Sequence, residues 1–548
     1  MTSFLNKTNS QYDVIIAGGG VNGVGIARDC ACVVCLVCLS KKRFSAGTSW
    51  ASSGMIHGGP RYMLGDLDVT RLACLDSGYI QKIAPHLLFR IPFLYSVYDH
   101  KNEGLKRRLY LEAVEAFSAY DRFVPLKWRA HTRLSRHEVL KLEPNLPKDK
   151  LLGAVTFDEW GIDVPRLCVA NVLDAVQNGA HALNHTIITK VNCENNQFQS
   201  VALKDQITGE TKTVSGKILI NATGPWSPEF AKLMGVNIKL RGGKGVHLVF
   251  DRRLFNMAIV SQAIDGREIF VMPYENTSII GTTDDDYFGD LDDQRTTDDE
   301  IAYLIEGIAQ VFPDIQKAKM IHSYSGVRPT IYDRDCYEDD LSREHETLDH
   351  EKRDGKKGMI SLIGGKLASY RIMAEEVTDL ICKKLNHQTA CSTHTKFLPG
   401  GESLPDAVEL AKEFQVNAFA VSRLIYRHGS LAEQILQQTQ SQPELKNIIC
   451  GCEPVTLAEI KYVKDKELVR TLSDIKRRTR LSWGPCQGTN CSIAAAGVFS
   501  DLMDLDAQET ESAHFDFLSE WWPNRAAVIN GEQLKQEELF QALHFCNN

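Results

Sequence analysis

The chain contains no apolar run long enough to cross a bilayer. Its most apolar stretch, Ala31 to Leu39, falls far short of the ~20 residues a spanning helix needs. Any membrane association must therefore come through a surface or a partner. Met1 to Gln11 is short and polar, and no apolar run follows Lys7, so it does not read as a signal peptide. Positive charge is not in excess either. A net charge of −8 with no long basic stripe argues against nucleic acid as the main partner. No internal repeat or low-complexity tract stands out. Between Cys30 and Gly65 there is no Asp or Glu at all. Cysteine, in contrast, is plentiful: with 15 in a chain that reads as intracellular, metal or redox use is expected for some of them rather than a disulfide framework. The 548 residues are 43% hydrophobic and 24% charged, ordinary values for a globular protein with room for about two to four domains.

Tyr12-Asp13-Val14-Ile15-Ile16-Ala17 reads as a buried strand running into Gly18-x-Gly20-x-x-Gly23, and Val24 to Asp29 reads as a helix. This is the dinucleotide fingerprint in its required strand–turn–helix setting. One glycine allows the tight turn, one lets backbone approach a pyrophosphate, and the third lets helix and strand pack closely. The helix N-terminus offers free N–H groups to the phosphates. An acid should close the second strand about 20 residues later to bind the adenosine ribose. Ser40 stands there instead. Its hydroxyl can hydrogen-bond at ~0.5–1.5 kcal/mol, against ~1.5–3 for a charged partner. Weaker cofactor binding is expected, and the case for free NAD is weakened. Cys30, Cys32, Cys35 and Cys38 partly imitate a ferredoxin run, but the interleaved Val33, Val34, Leu36, Val37 and Leu39 read as core, where free cysteine behaves as a small hydrophobe.

The segment from Phe44 to Tyr62 is rich in small hydroxyl residues and glycine (Gly47-Thr48-Ser49, Ser52-Ser53-Gly54) and ends in His57-Gly58-Gly59-Pro60-Arg61-Tyr62. Such a loop can wrap a pyrophosphate and the edge of a flat ring. Here the chain resembles the FAD-dependent glycerol-3-phosphate dehydrogenase family, whose pattern runs from a Thr-Ser turn into His-Gly-Gly-x-Arg-Tyr. Further segments carry the same resemblance: Val155 to Leu167; Lys244-Gly245-Val246-His247; Ile279-Ile280-Gly281-Thr282-Thr283-Asp284; Tyr324 to Pro329, with Arg328; and Ile363-Gly364-Gly365-Lys366-Leu367 to Arg371. It spans about residues 12 to 385.

The resemblance implies FAD as cofactor, with Gly18, Gly20, Gly23, Ser40, Thr48, Ser49, Ser53, His57, Ala222, Thr223, Gly224, Gly364, Gly365, Lys366 and Leu367 around it. Ala222-Thr223-Gly224 ends a second buried strand, Lys217 to Asn221, where a side chain would collide with cofactor. The implied substrate is sn-glycerol 3-phosphate, its dianion met by Arg61, Arg328, Arg343 and Lys366, with Tyr62 alongside. His247, alternating with apolar Val246 and Leu248, is the proton acceptor the family implies, with Arg328 and Lys366 assisting catalysis. Three features read as bland. The basic Lys106-Arg107-Arg108 is a solvated face, Asp158-Glu159 a turn before a strand, and the acidic run from Asp284 a solvated loop. Residues 66–150 read as mainly helical.

Beyond residue 385 the composition changes. A linker with helices (386–445) leads to Cys450-Gly451-Cys452 and, after 33 intervening residues, Cys486-x4-Cys491. Four thiolates with glycines in the ligand loops suit a 2Fe–2S cluster, with a four-cysteine zinc site as the alternative. The basic run Ile475 to Arg480 is either a solvated face or an electrostatic counterweight to a cluster. Residues 446–500 resemble ferredoxin-type domains of the bacterioferritin-associated kind, and 501–548 read as a helical tail. Trp521-Trp522 in that tail is a partner contact or a packed lid.

The expectation is an α/β protein. A Rossmann-like FAD-binding domain interleaves with an antiparallel-sheet substrate domain over 12–385, after a tail at 1–11, and a small helical iron–sulfur module follows. This combination resembles the anaerobic branch of the family. It implies electron transfer through the cluster and partner subunits to a membrane quinone, in a hetero-oligomer on the cytoplasmic face of the inner membrane. Two alternatives stay open. One is an oxidase, or a dehydrogenase of another hydroxy acid or amine; the other is a non-catalytic electron-relay component, should FAD binding fail.

Overall fold

A computed structural model of the chain describes residues 4–31, 33–34, 36–58, 67–99, 103–121, 130–335 and 343–544. Arg61 and Tyr62, and likewise Cys32 and Cys35, lie outside the described residues.

The first layer is an eight-stranded sheet. At its centre Gln11–Ala17 lies between Leu36–Leu39 and Thr211–Asn221, parallel to both. Met359–Gly364 and His181–Leu183 extend it in parallel, and His345–Asp349 closes one edge antiparallel. Val14, Ile15 and Ile16 are wholly buried, as expected for strands covered on both faces. One face carries the helices Val21–Ala31, Val164–Gln177 and Tyr370–Leu385 over a core that includes Val24, Leu167 and Val377. The other carries the meander Thr186–Glu194, Gln197–Asp205 and Thr211–Asn221 with the helix Ser227–Leu233.

The second layer is a nine-stranded sheet, antiparallel except where Ala258–Gln262 pairs with Leu88–Tyr98. Its longest pairing joins Leu240–Phe250 to Met320–Ile331, placing His247 opposite Tyr324 and Gly243 opposite Arg328. Because side chains alternate along a strand, His247, Tyr324 and Arg328 share one face. The stretch 66–150 is mainly helical among its described residues, with helices at Leu67–Ile83, Glu103–Tyr120 and Arg136–Leu142, but two details differ from the sequence reading. The stretch expected to be mainly helical contains the eleven-residue strand Leu88–Tyr98, whose bulky apolar residues suit a sheet as well as a helix. Asp158 and Glu159 lie not in a turn but inside the strand Leu151–Ile162. There Asp158 pairs with Arg90 at 2.7 Å, and Tyr120 donates its hydroxyl proton to Glu159.

The C-terminal part is helical, and one apolar core runs through it from Leu410 to Phe517, crossing the boundaries at 445 and 500 that composition suggested. It docks on the first layer through buried ion pairs: Arg166–Glu467 at 2.6 Å, Arg470–Asp205 at 2.9 Å and Arg480–Asp163 at 3.4 Å. The basic run Ile475 to Arg480 is therefore no solvated face. Arg477, Arg478 and Arg480 are all buried at the domain boundary. No helix of the described residues is long and apolar enough to cross a membrane.

Candidate active site

Both sheets end at one cavity of about 2200 Å³, well above the ~300–1000 Å³ usual for a small-ligand site. The glycine turn forms one wall. Gly18 has φ +130°, and a Cβ there would stand 2.2 Å from the Ala222 carbonyl, so the turn can press against the neighbouring strand end. A Cβ on Gly23 would meet the Gly18 carbonyl at 1.9 Å; Gly23 serves helix–strand packing rather than the cavity. Gly20 faces the cavity, beside Ser49. The Ser49 hydroxyl accepts the Val21 N–H at 2.9 Å and so caps the helix N-terminus. Ser40 also lines the cavity, but its hydroxyl proton is already donated to the Arg43 carbonyl at 2.9 Å. Towards a ribose it retains only acceptor capacity.

Thr48, Ser53 and His57 lie along the same wall. Thr48 donates to the Val327 carbonyl at 2.6 Å. The loop can lie this close to the second sheet because Gly326 has no side chain; a Cβ there would sit 2.7 Å from that of Ala51. The cofactor loop is thus laid on the sheet face that carries Tyr324 and Arg328. Ala222, Thr223, Gly224, Gly364, Gly365, Lys366 and Leu367 complete the lining. Thr223 is fixed by its bond to Asn221 at 2.7 Å, and Gly365 N–H is tied to the Glu344 carbonyl at 2.8 Å.

The cavity's far end is cationic. Arg328 donates to Asp284 at 2.9 Å and to the Thr282 hydroxyl at 3.0 Å. Arg343 reaches the other oxygen of the same carboxylate. Two guanidiniums therefore share one carboxylate, leaving net positive charge on the wall. Lys366 Nζ lies 3.4 Å from the Gly58 carbonyl. Asp284 is the residue sequence reasoning missed: read as part of a solvated acidic loop, it is only 9% exposed and aligns both arginines. Its place directly after Gly281-Thr282-Thr283, beside a strand end, was the available signal.

His247 lies one ring behind the lining. It is 2% exposed and stacked on Tyr324 at 4.8 Å between ring centroids, and neither ring nitrogen has a hydrogen-bond partner. Burial, then the nearby Arg328 charge, pulls it down to about pKa 3, so at neutral pH the ring is uncharged. Lys244 of the same motif points to the opposite face and pairs with Glu300 at 2.9 Å.

The four C-terminal cysteines converge as two pairs. Cys452 donates to Cys486 at 3.6 Å, and the Cys491 thiol donates to Cys450, which holds the Cys450 thiol below its usual range. Among the described residues no group of three or more His, Cys, Asp or Glu is arranged around a metal position. Cys30 and Cys38 are fully buried in the first core with thiols pushed up by burial, in keeping with a packing role. Trp521 of the tail lines the cavity, and Lys476 Nζ lies 3.2 Å from its ring centroid, so this tryptophan is packed inside.

A glycine turn against a capped helix, a hydroxyl loop laid on a substrate sheet and a cavity of this size suit FAD. Among the lining residues, the donors Arg43 Nε and Trp226 Nε1 have no hydrogen-bond partner in the protein. The chain belongs to the FAD-dependent oxidoreductase (DAO) family, whose pattern matches residues 13–371. Residues 391–510 match the C-terminal domain of alpha-glycerophosphate oxidase, a different description from the ferredoxin-type domain expected from the cysteines. Among similar proteins, one subunit of the anaerobic glycerol-3-phosphate dehydrogenase of Escherichia coli is 30% identical, over 97% of this chain and 96% of that protein. A glycerol-3-phosphate dehydrogenase of Synechocystis is 32% identical over 92% and 94%. The glycerol-3-phosphate dehydrogenase of Bacillus halodurans complexed with FAD shares the fold, with TM-score 0.73, 24% identity and coverage of 96% and 97%.

Proposed function

We propose that this protein oxidises sn-glycerol 3-phosphate to dihydroxyacetone phosphate, with FAD accepting the hydride. The observation that carries the reading is the pair Arg328 and Arg343 on the single carboxylate of Asp284, at the end of a cavity whose other walls suit a flavin dinucleotide. A phosphate dianion fits two forked guanidiniums and a lysine. The names of the similar proteins support the same substrate.

In this reading Arg328, Arg343 and Lys366 bind the phosphate, joined by Arg61 and Tyr62. Holding the phosphate fixes the distance from C2 to the flavin loop, and such positioning supplies much of the rate. His247, uncharged, with unpaired nitrogens and stacked behind Tyr324, is the proposed acceptor of the C2 hydroxyl proton. FAD, when bound, supplies the acceptor for the hydride released at C2. Gly364 and Gly365, both at positive φ and packed against Glu344 and Met373, turn the chain so that the backbone N–H groups of the residues that follow can approach the ring edge and stabilise negative charge there.

The further course of the electrons belongs to the same proposal. Cys450, Cys452, Cys486 and Cys491 fit a 2Fe–2S cluster in donor type and number, as they do a zinc site. A cluster there supplies a one-electron outlet. Onward transfer to a membrane quinone through partner subunits, in a hetero-oligomer held at the cytoplasmic face of the inner membrane, accords with the similarity to a protein named as one component of a larger enzyme. The match of residues 391–510 to an oxidase domain favours a second reading, in which oxygen is the acceptor and hydrogen peroxide the product. Anaerobic absorption spectra with iron and zinc analysis test the first. Oxygen uptake by the purified protein during glycerol 3-phosphate turnover tests the second.

A further inference from the structure

The helix Leu472–Thr479 of the C-terminal domain presents Lys476 and Arg477 to the flavin cavity. Most basic residues of this segment have carboxylate partners. Arg470 pairs with Asp205, Arg478 with Asp474, and Arg480 with Asp163 and Glu453. Among the described residues Arg477 has no carboxylate within salt-bridge distance. It is nine-tenths buried, donates to the Ser45 carbonyl at 3.2 Å and lies 4.2 Å from the Trp50 ring. Asp474, the nearest acid in sequence, is taken by His185, Arg478 and the N–H groups of Arg470 and Thr471. Arg43, also buried on this wall, meets Glu520 but keeps a partnerless Nε.

This wall therefore gathers three basic side chains, Arg43, Lys476 and Arg477, against the partly exposed Glu520 and against Asp474, whose oxygens are already engaged. Ser45 links it to the glycine turn, since Ser45 N–H donates to the Gly19 carbonyl at 2.8 Å. An unbalanced buried cation is costly unless an anion joins it. A ligand lying along Gly18–Gly20 brings one.

We infer that Arg477, with Lys476 and Arg43 beside it, binds the diphosphate of the dinucleotide cofactor, so that the C-terminal domain completes the cofactor site. The inference rests on the FAD reading and deepens it. It accounts for how the cofactor is held where Ser40 replaces the ribose acid, because charge on the phosphates takes over part of the work.

The test uses holoprotein stripped of flavin and titrated with FAD or with riboflavin, which has no phosphate. Arg477→Gln is expected to weaken FAD binding about ten- to hundredfold, the size of one charge-assisted hydrogen bond. Riboflavin binding should be unchanged, and Arg477→Lys should recover part of the loss. Apoprotein of Arg477→Gln should unfold at the same temperature as wild type or higher, since an unbalanced buried charge has gone. Equal losses for FAD and riboflavin, a drop in apoprotein stability, or unchanged FAD affinity would each overturn the inference. Wild-type apoprotein that takes up no FAD would instead overturn the cofactor reading beneath it.

Discussion

Both ends of the cavity are positively charged, yet they hold their cations in different ways. At the substrate end Arg328 and Arg343 are aligned in advance by one shared carboxylate, Asp284. At the domain boundary Arg43, Lys476 and Arg477 crowd together with little carboxylate between them, and burial and mutual repulsion push Arg477 well below its ordinary pKa. A site that empties at every turnover must be stable when empty, and a shared carboxylate achieves that while leaving net charge for the next substrate. A wall that faces a resident anion has no such need. On the proposed reading, the difference separates a substrate cradle from a cofactor clamp within one continuous cavity.

The sharpest way to break this comparison is Arg328→Met. It should lower kcat/KM for glycerol 3-phosphate by about three orders of magnitude, roughly 4 kcal/mol, since it removes a forked contact and leaves Asp284 half-partnered. Flavin content should stay that of wild type. His247→Gln should reduce kcat by about 10²–10³-fold with little change in KM, as expected for a lost general base. The pH dependence carries a sign. His247 is depressed to about 3 by burial and by Arg328, so its acceptor form survives as pH falls and is lost only as pH approaches that value. For this group kcat/KM should stay level well below the ordinary histidine value of about 6.5. A fall centred near 6.5 would mean that the ring is solvated in the working enzyme.

Asp284→Asn should raise KM about ten- to hundredfold with a smaller change in kcat, because the arginines remain but lose their common anchor. The smallest effect is expected from Cys486→Ser: less than about twofold on flavin reduction by substrate, since the thiol pairs lie outside the cavity lining. On the proposed cluster reading, the same variant should lose iron and delivery to quinone. Wild-type protein free of iron would remove that branch and leave the dehydrogenase reading standing.

What was legible in the sequence follows the same division. The glycine turn after Tyr12–Ala17 could be read because strand, turn and helix are contiguous and each glycine has a local steric reason. Arg328 was legible as the cation of a motif and Arg343 as a cation the resemblance implies, but their shared carboxylate was not. Asp284 sits in an acidic run, and only the antiparallel pairing of Leu240–Phe250 with Met320–Ile331 brings Arg328 to it. Arg477 was illegible for a similar reason. A basic amphipathic helix looks solvated until a distant domain covers it, and Asp163, Asp205 and Ser45 come from far earlier in the chain. Leu88–Tyr98 was misread because alternation and helical periodicity overlap in a short apolar run.

The central claim is that a flavin lies within reach of a phosphorylated polyol anchored at Arg328, Arg343 and Lys366. Anaerobic mixing of the flavin-loaded protein with glycerol 3-phosphate, followed by visible absorption, tests it most directly. The account predicts bleaching of the flavin band with glycerol 3-phosphate and none with glycerol at equal concentration. No bleaching by the phosphate ester, or equal bleaching by both, would contradict it.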